Sequence, residues 1–183
     1  YLGKDGKPVT GAQNIDGINL YFHEDVRQAK NEIVTIDGDS YYFDKDNGRR
    51  VTGRQALDNV NHKYFGFYYF DKDGKMVKDD FVTENGDLYY FDATGNQPNF
   101  VFVSDKASHW YYMRYFKATK GFSALFGFDA EFLDRSQSDY KTSVHNLNGQ
   151  QYYFDTKTGI MVTNRYVSDD QGNWYYFGKD GRA

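Results

Sequence analysis

Tyr41-Tyr42-Phe43-Asp44 returns as Tyr68-Tyr69-Phe70-Asp71, as Tyr89-Tyr90-Phe91-Asp92 and as Tyr152-Tyr153-Phe154-Asp155. Leu20-Tyr21-Phe22 and Tyr175-Tyr176-Phe177-Gly178 are variants of the same string. With the middle aromatic as marker, Tyr21 to Tyr42, Tyr69 to Tyr90 and Tyr90 to Tyr111 are each 21 residues apart. Two more such steps land on Phe132 and Tyr153, so Glu131-Phe132-Leu133-Asp134 reads as a worn copy. Tyr42 to Tyr69 is longer by six, which the sequence places as a loop insertion around Asn59–Gly66. A fixed period of this size is the mark of a repeat architecture.

Each repeat carries two turn signals. One precedes the aromatics: Asp16-Gly17, Asp37-Gly38, Asn85-Gly86 and Asn148-Gly149. The other follows them: Asp71 to Gly74, Asp92 to Gly95, Asp155 to Gly159. Asn-Gly and Asp-Gly suit two-residue hairpin turns, whose central residues both need positive φ. Two turns per repeat leave room for two strands of about 4–6 residues. One hairpin cannot bury its own face, but stacked neighbours can. The expected fold is therefore all-β, a β-solenoid of stacked hairpin repeats of about 21 residues with little or no helix. In Lys117–Asp134 the residues Phe122, Leu125, Phe126 and Phe132 also fit helical spacing, but the register favours strands. Three regions follow: hairpin repeats over 1–112, a degenerate repeat over 113–145, and hairpin repeats over 146–183, truncated at the end. Both ends fall inside a repeat, so the chain reads as a piece of a longer protein.

The composition fits such an array. Aromatics make up 20% of the chain, with 18 Tyr, 16 Phe and 2 Trp. Aliphatic residues are too sparse for a large core of their own, so the rings must supply both core and contact surface. The net charge of −4, with both signs spread along the chain, argues against a nucleic-acid partner, whose phosphates call for a basic face. It argues equally against anionic membrane surfaces. No apolar run approaches the roughly 20 residues of a membrane helix. There is no cysteine, hence no disulfide and no Cys-based metal site.

A longer period overlies the short one. Val9-Thr10-Gly11-Ala12-Gln13 and Val51-Thr52-Gly53-Arg54-Gln55 recur 42 residues apart. Lys30, Lys78 and Lys120 each lie 12 residues before Tyr42, Tyr90 and Phe132. Units thus alternate between a Gln-bearing and a Lys-bearing type. A pyranose has apolar C–H faces and a hydroxyl rim, so it needs a ring to stack on and a few polar groups at the edge. Gln13, Tyr21, Lys30 and Tyr42 supply that set, and so do Gln55, Tyr69, Lys78 and Tyr90. Tyr111 and Lys120 form a poorer third set without Gln. In the fourth, His145 replaces Gln, and Thr163 or Asn164 falls where Lys should be. Rings in a hairpin array serve inter-repeat packing as well. Only the joint recurrence of all three residue types points beyond packing, to a ligand.

Catalytic readings find little support. A glycosidase needs two carboxylates about 5–10 Å apart in a cleft. The four Glu, at 24, 32, 84 and 131, share no register, and most Asp sit in turns. The histidines at 23, 62, 109 and 145 lack metal-ligand spacing and read as ordinary loop or strand residues. Asp44-Lys45-Asp46-Asn47-Gly48 lacks the terminal Glu of an EF-hand loop and reads as a hairpin turn. No enzyme activity, cofactor or metal is expected of this segment.

The succession Val-Thr-Gly-x-Gln, Ile-Asp-Gly, Tyr-Tyr-Phe-Asp and a Lys-bearing strand resembles the glucan-binding repeats of glucansucrases such as dextransucrase, modules of the kind called domain V. The likeness covers 1–112 and 146–183 well, and 113–145 weakly. The resemblance implies a secreted or surface-attached appendage from a Gram-positive bacterium, joined to the catalytic domain of its parent enzyme. It implies pockets that hold α-glucan or isomalto-oligosaccharide through a stacking Tyr, a Gln and a Lys. Carried over by position, these are Gln13, Tyr21, Lys30, Tyr42, Gln55, Tyr69, Lys78 and Tyr90. The wider repeat class also includes choline-binding proteins of cell-wall teichoic acid and toxin receptor-binding repeats. Choline sites need an aromatic cage around a quaternary ammonium, and the only Trp here are Trp110 and Trp174. Choline binding, receptor binding and a plain structural spacer stay open as alternatives.

Overall fold

Asp16 and Gly17 both adopt positive φ, as do Asp37 and Gly38, and Asn85 and Gly86. These are the two-residue turns that the sequence predicts, and strands of matched length flank each one. The structure is a computed structural model that describes residues 1–114, 117–118, 121–122, 146–147, 150–169 and 171–183. The expected degenerate repeat therefore lies almost wholly outside the described residues, together with Lys120, Phe132 and His145. Every element among the described residues is a strand. The chain forms two compact units, one of Tyr1–Asp80 with Phe91–Gln97, the other of Phe81–Tyr90 with Pro98–Ala183.

In the first unit, β1 (Gly11–Ile15) pairs antiparallel with β2 (Ile18–Phe22), and β3 (Glu32–Ile36) with β4 (Asp39–Phe43). The third hairpin joins β5 (Gly53–Val60) to β6 (Tyr64–Phe70). Here the structure corrects the sequence reading. The six extra residues are not a loop. They lengthen both strands, turn at 61–63, and are absorbed by a register shift between Leu57 and Val60. Leu57 and Val60 are buried there beside Tyr68 and Phe70, which makes the extension part of the core.

The corner before each first strand explains the Thr-Gly motif. Gly11 and Gly53 have φ of 73° and 76°. In the Lys-bearing units it is Asn31 and Asp79, one residue before the first strand, that take positive φ, 52° and 48°. Short polar side chains tolerate this left-handed region better than others do.

Two relations tie successive hairpins within this unit. The first is a backbone bond from the segment after one hairpin to the hairpin before it. Arg50 N–H donates to the Asn19 carbonyl at 2.9 Å, Met76 to Ser40 at 2.8 Å and Gln97 to Phe67 at 3.0 Å. The second is a relay of rings. Tyr21 lies 6.0 Å from Phe43, Tyr42 6.1 Å from Phe70, and Tyr69 5.8 Å from Phe91. The Phe of each motif is the deepest residue, with Phe43, Phe70 and Phe91 at 1% exposure or less.

The second unit contains β7 (Asp80–Glu84) and β8 (Asp87–Phe91), apart from the terminal Asp80 and Phe91. A three-stranded sheet follows, with β10 (Trp110–Arg114) between β9 (Val101–Ser104) and β11 (Lys117–Ala118). Short strands β12 (Gly121–Phe122), β13 (Asn146–Leu147), β14 (Gln150–Gln151) and β15 (Tyr153–Phe154) lead to the hairpin of β16 (Arg165–Ser168) and β17 (Trp174–Phe177). The same ties recur. Met161 N–H donates to the Trp110 carbonyl at 2.7 Å, and Tyr112 and Tyr153 lie 6.5 and 6.2 Å from Phe154 and Phe177. The ring that continues the relay from β10 is thus Tyr112, one residue beyond the marker Tyr111. The cause is a longer turn: Asp105 Oδ1 accepts from the N–H of Ala107 and of His109, and Tyr111 Oη donates to Asp105 Oδ2 at 3.1 Å. Asp169 and Tyr175 repeat that arrangement between β16 and β17.

Candidate functional site

The two lysines of the first unit stand at the same structural position. Ala29 N–H closes on the Tyr21 carbonyl at 2.8 Å, and Val77 N–H closes on the Tyr69 carbonyl at 2.8 Å. Lys30 and Lys78 are the next residues, so the backbone sets each lysine beside a marker tyrosine. Both side chains are exposed. Lys30 Nζ donates to the Asp46 carbonyl at 3.2 Å, and Lys78 Nζ to Ser40 Oγ at 3.1 Å. An ammonium has three donors. A single neutral partner orients each one and leaves donors for a ligand hydroxyl.

The two glutamines are held in a shared way. Gln13 Nε2 donates to the Thr10 carbonyl at 2.7 Å, and Gln55 Nε2 to the Thr52 carbonyl at 3.1 Å. The bond spans the left-handed glycine of Thr-Gly-x-Gln and fixes the amide. It leaves the amide oxygen as an acceptor. Strand register then separates Gln from Tyr. Gln13 is opposite Leu20, while Tyr21 is opposite Ala12. Gln55 is opposite Tyr68, while Tyr69 is opposite Arg54. Directly opposed residues share a face and neighbours alternate. Each Gln therefore lies on the other face of its hairpin from the marker Tyr. The backbone sets each Lys next to the residue that bonds to its marker Tyr, and strand pairing places Gln on the other face of the hairpin.

The rings differ in availability. Tyr21 and Tyr69 are half-buried, with one side against the next Phe. Tyr42 is buried, and its hydroxyl donates to Asn31 Oδ1 at 3.0 Å. Burial, aided by the charges of Asp44 and Asp46, pushes the Tyr42 hydroxyl above its ordinary pKa. Tyr90 is half-buried in the second unit, 4.9 Å from Phe81. Tyr111 is buried, and burial plus the bond to Asp105 pushes its pKa up to about 12. Thr163 and Asn164 are exposed, and Asn164 has φ of 48°, so it fills the corner place of Asn31 and Asp79.

The sequence reads His23 as an ordinary loop or strand residue, and the structure gives it specific partners. It stands where other repeats carry the motif Asp, and its ring meets Tyr21 edge-on at 5.3 Å. His23 Nε2 lies 2.7 Å from Glu32 Oε2, and Arg27 pairs with the other carboxylate oxygen. Burial alone would raise the Glu32 pKa, but the bonds from Arg27 and His23 outweigh it and hold the carboxyl low. The signal for this cluster was the replacement of Asp by His after Tyr-Phe. Asn31 and Ser40 were passed over, since neither recurs as a type.

These features define a protein of tandem β-hairpins, tied by a ring relay and carrying a repeated exposed cation beside a tyrosine. The chain belongs to the choline-binding repeat family, whose model matches residues 9–55, 51–97 and 141–182. It is also similar over its whole length to two streptococcal enzymes. Glucosyltransferase-I of Streptococcus downei is 36% identical over 201 residues, and Glucosyltransferase-S of Streptococcus mutans serotype c is 32% identical over 202. The chain spans only 13% and 14% of those two proteins. The similarity to repeats within glucosyltransferases that the motifs suggested is thus found. Among solved structures, CbpJ from Streptococcus pneumoniae matches all of this chain and 55% of that one, with a TM-score of 0.68 at 21% identity. The choline-binding domain of CbpL from the same species matches 96% of this chain and 78% of that one, with a TM-score of 0.64 at 21% identity. At that identity the two structures speak for the fold.

Proposed function

We propose that this chain is a non-catalytic α-glucan-binding module of a secreted or surface-attached glucansucrase from a Gram-positive bacterium. Its hairpins stack as a β-solenoid, with 1–112 and 146–183 as binding repeats and 113–145 as a degenerate one. Glucosyl units rest against the open sides of Tyr21 and Tyr69. Lys30 and Lys78 donate to the hydroxyl rim, and Gln13 and Gln55 offer amide acceptors to glucosyl units on the opposite face of each hairpin. Tyr42 walls the first site; in the second unit Tyr90 is a further candidate ring, and Tyr111 with Lys120 makes a weaker site. The observation that carries this reading is the repeat of one exposed Lys next to the bond that closes on each marker Tyr. The whole-length similarity to glucosyltransferases supports the choice of glucan.

The test is electrophoresis of the 183-residue chain through native gels with and without dextran, with choline as competitor. Retardation by dextran that choline leaves unchanged, and that Lys30→Ala with Lys78→Ala abolishes while circular dichroism stays native, is the expected result. Retardation that survives the double substitution removes the lysine sites. A second reading, choline binding, draws on the exposed indoles of Trp110 and Trp174. It predicts displacement by choline in the same gel.

A further inference from the structure

One turn of the first unit lacks both residues on which its neighbours rely. Gly74 N–H donates to the Asp71 carbonyl, and Gly95 N–H to the Asp92 carbonyl. Each Asp carboxylate also accepts two further N–H groups of its own turn. The same bond closes the turn after Tyr21, from Val26 N–H to the His23 carbonyl at 2.9 Å. There a His stands in place of the Asp and a Val in place of the Gly. Val26 has φ of 64° and is 48% exposed. A β-branched side chain is strained in that region, and an exposed one gains little packing in return. Backbone strain of this kind clusters at ligand-binding sites. Without the turn bonds of an Asp, the His23 side chain spans two elements. Its ring meets Tyr21 of β2 edge-on at 5.3 Å, and its Nε2 lies 2.7 Å from Glu32 Oε2 of β3. Beside Tyr69 the corresponding residue is Asp71, whose Oδ1 is taken up by its own turn.

We infer that His23 is a positioning residue for glucan at the Tyr21–Lys30 site, bracing the Tyr21 ring against Glu32, and that it makes this site respond to pH while the Tyr69–Lys78 site does not. The inference rests on the glucan reading above. The groups around the imidazole are Tyr21 from β2, Arg27 from the turn and Glu32 from β3. Bonds from Arg27 and His23 hold the Glu32 carboxyl low, so it stays ionised at neutral and mildly acid pH. A neutral imidazole offers that carboxylate a neutral donor. An imidazolium offers a charge-assisted bond, about twice as strong. Histidine ordinarily changes charge between about pH 5 and 8. Falling pH therefore tightens the bond to Glu32 and fixes the imidazole against Tyr21. A ring already fixed has less freedom to lose when a glucosyl unit stacks on it.

The test reads each site alone, the Tyr21 site in a Lys78→Ala chain and the Tyr69 site in a Lys30→Ala chain. Isothermal titration with a short isomalto-oligosaccharide runs from about pH 8 to about pH 5. Affinity at the Tyr21 site should rise about threefold over that range, and affinity at the Tyr69 site should stay flat. His23→Gln keeps a neutral donor and cannot charge, so it should hold the high-pH affinity at every pH. His23→Asp with Val26→Gly restores the turn of the other repeats and therefore folds; it should bind more weakly with a flat profile. A pH profile that survives His23→Gln, or that both sites share, overturns the inference. A second readout needs no sugar: the Tyr21 ring resonances should follow the titration of the His23 imidazole. If they follow and no oligosaccharide binds at any pH, the glucan reading falls and the coupling of His23 to Tyr21 stands. If they do not move, the coupling falls whatever the sugar does.

Discussion

The ring of Tyr69 leans on the ring of Phe91 at 5.8 Å and 42°. One side of Tyr69 therefore belongs to the relay that joins hairpins, and stacking by a ligand would have to use the other side. Phe91 is fully buried, so Phe91→Ala removes an aromatic from a packed site. The expected loss is about 3–5 kcal/mol of unfolding free energy in urea melts. Tyr69→Phe keeps the ring and should stay within about 0.5 kcal/mol. A Phe91→Ala chain that melts like the parent would show that the relay does not hold the hairpins.

Gly38 and Gly48 test two kinds of glycine requirement. Gly38 has φ of 88°, and a Cβ there would meet nothing within 4 Å. Gly38→Ala thus costs only the left-handed backbone, about 1–2 kcal/mol. Gly48 has φ of 70°, and its Cβ would lie 2.6 Å from the Ala29 carbonyl oxygen. Ala29 cannot yield freely, because its N–H closes on Tyr21 beside Lys30. Gly48→Ala should be worse than Gly38→Ala by a further ~1–3 kcal/mol. Equal melting temperatures for the two would contradict this.

The turn carboxylates predict acid sensitivity. For Asp44, burial would raise the pKa, but backbone bonds from Asn47, Asp46, Gly48 and Arg49 outweigh it and hold it low. For Asp155 the bonds from Thr158 and Lys157 lower it. A group with a lowered folded pKa stabilises above its unfolded value, near pH 4 for Asp, and loses that contribution as pH falls through the folded value. Melting temperature should therefore drop below about pH 4, and Asp44→Asn should flatten that drop. An Asp44→Asn chain with an unaltered acid limb would rule this carboxylate out.

Tyr111 has the opposite sign. Its folded pKa is about 12 against an ordinary 10.0, from burial and from its bond to Asp105. The stabilisation is complete below pH 10 and is lost as pH rises through about 12. Phenolate absorbance should show one tyrosine titrating near that value. Asp105→Asn should bring it down, since the neutral amide no longer disfavours the phenolate.

The hairpins were legible because Asp-Gly and Asn-Gly demand positive φ, and because Tyr-Tyr-Phe-Asp recurs in a nearly fixed register. Three features were not. The long hairpin of β5 and β6 hides because Asn59, Asn61, His62 and Gly66 look like loop residues, although Val60 among them and Leu57 just before them are core. The shift from Tyr111 to Tyr112 hides because 21-residue counting cannot see one extra residue in a turn; the shared Val-Ser-Asp of 103–105 and 167–169 was the available clue. The separation of Gln13 from Tyr21 follows from strand pairing, which a linear register does not specify: the turn of each hairpin, not the marker Tyr, sets which residue each Gln faces.

The repeat of the lysine site predicts that affinity grows with glucan length. Lys30 and Lys78 occupy one unit, each next to its own tyrosine. A single glucosyl site with one stacked face and a few hydrogen bonds should bind at roughly millimolar strength. A polymer that reaches both sites makes its second contact at high effective concentration and gains up to ~10²-fold without any new interaction. Isothermal titration should then give tight dextran binding and weak binding of short isomalto-oligosaccharides. Lys78→Ala should lower dextran affinity toward the oligosaccharide value while leaving the oligosaccharide value itself nearly unchanged, because the Lys30 site still works alone. Lys30→Ala should do the same. A solvated lysine contributes almost nothing to folding, so neither change should alter the unfolding free energy by more than about 0.5 kcal/mol. If dextran and short oligosaccharide bind with equal affinity per molecule, or if one substitution abolishes both, the two lysines do not serve separate sites.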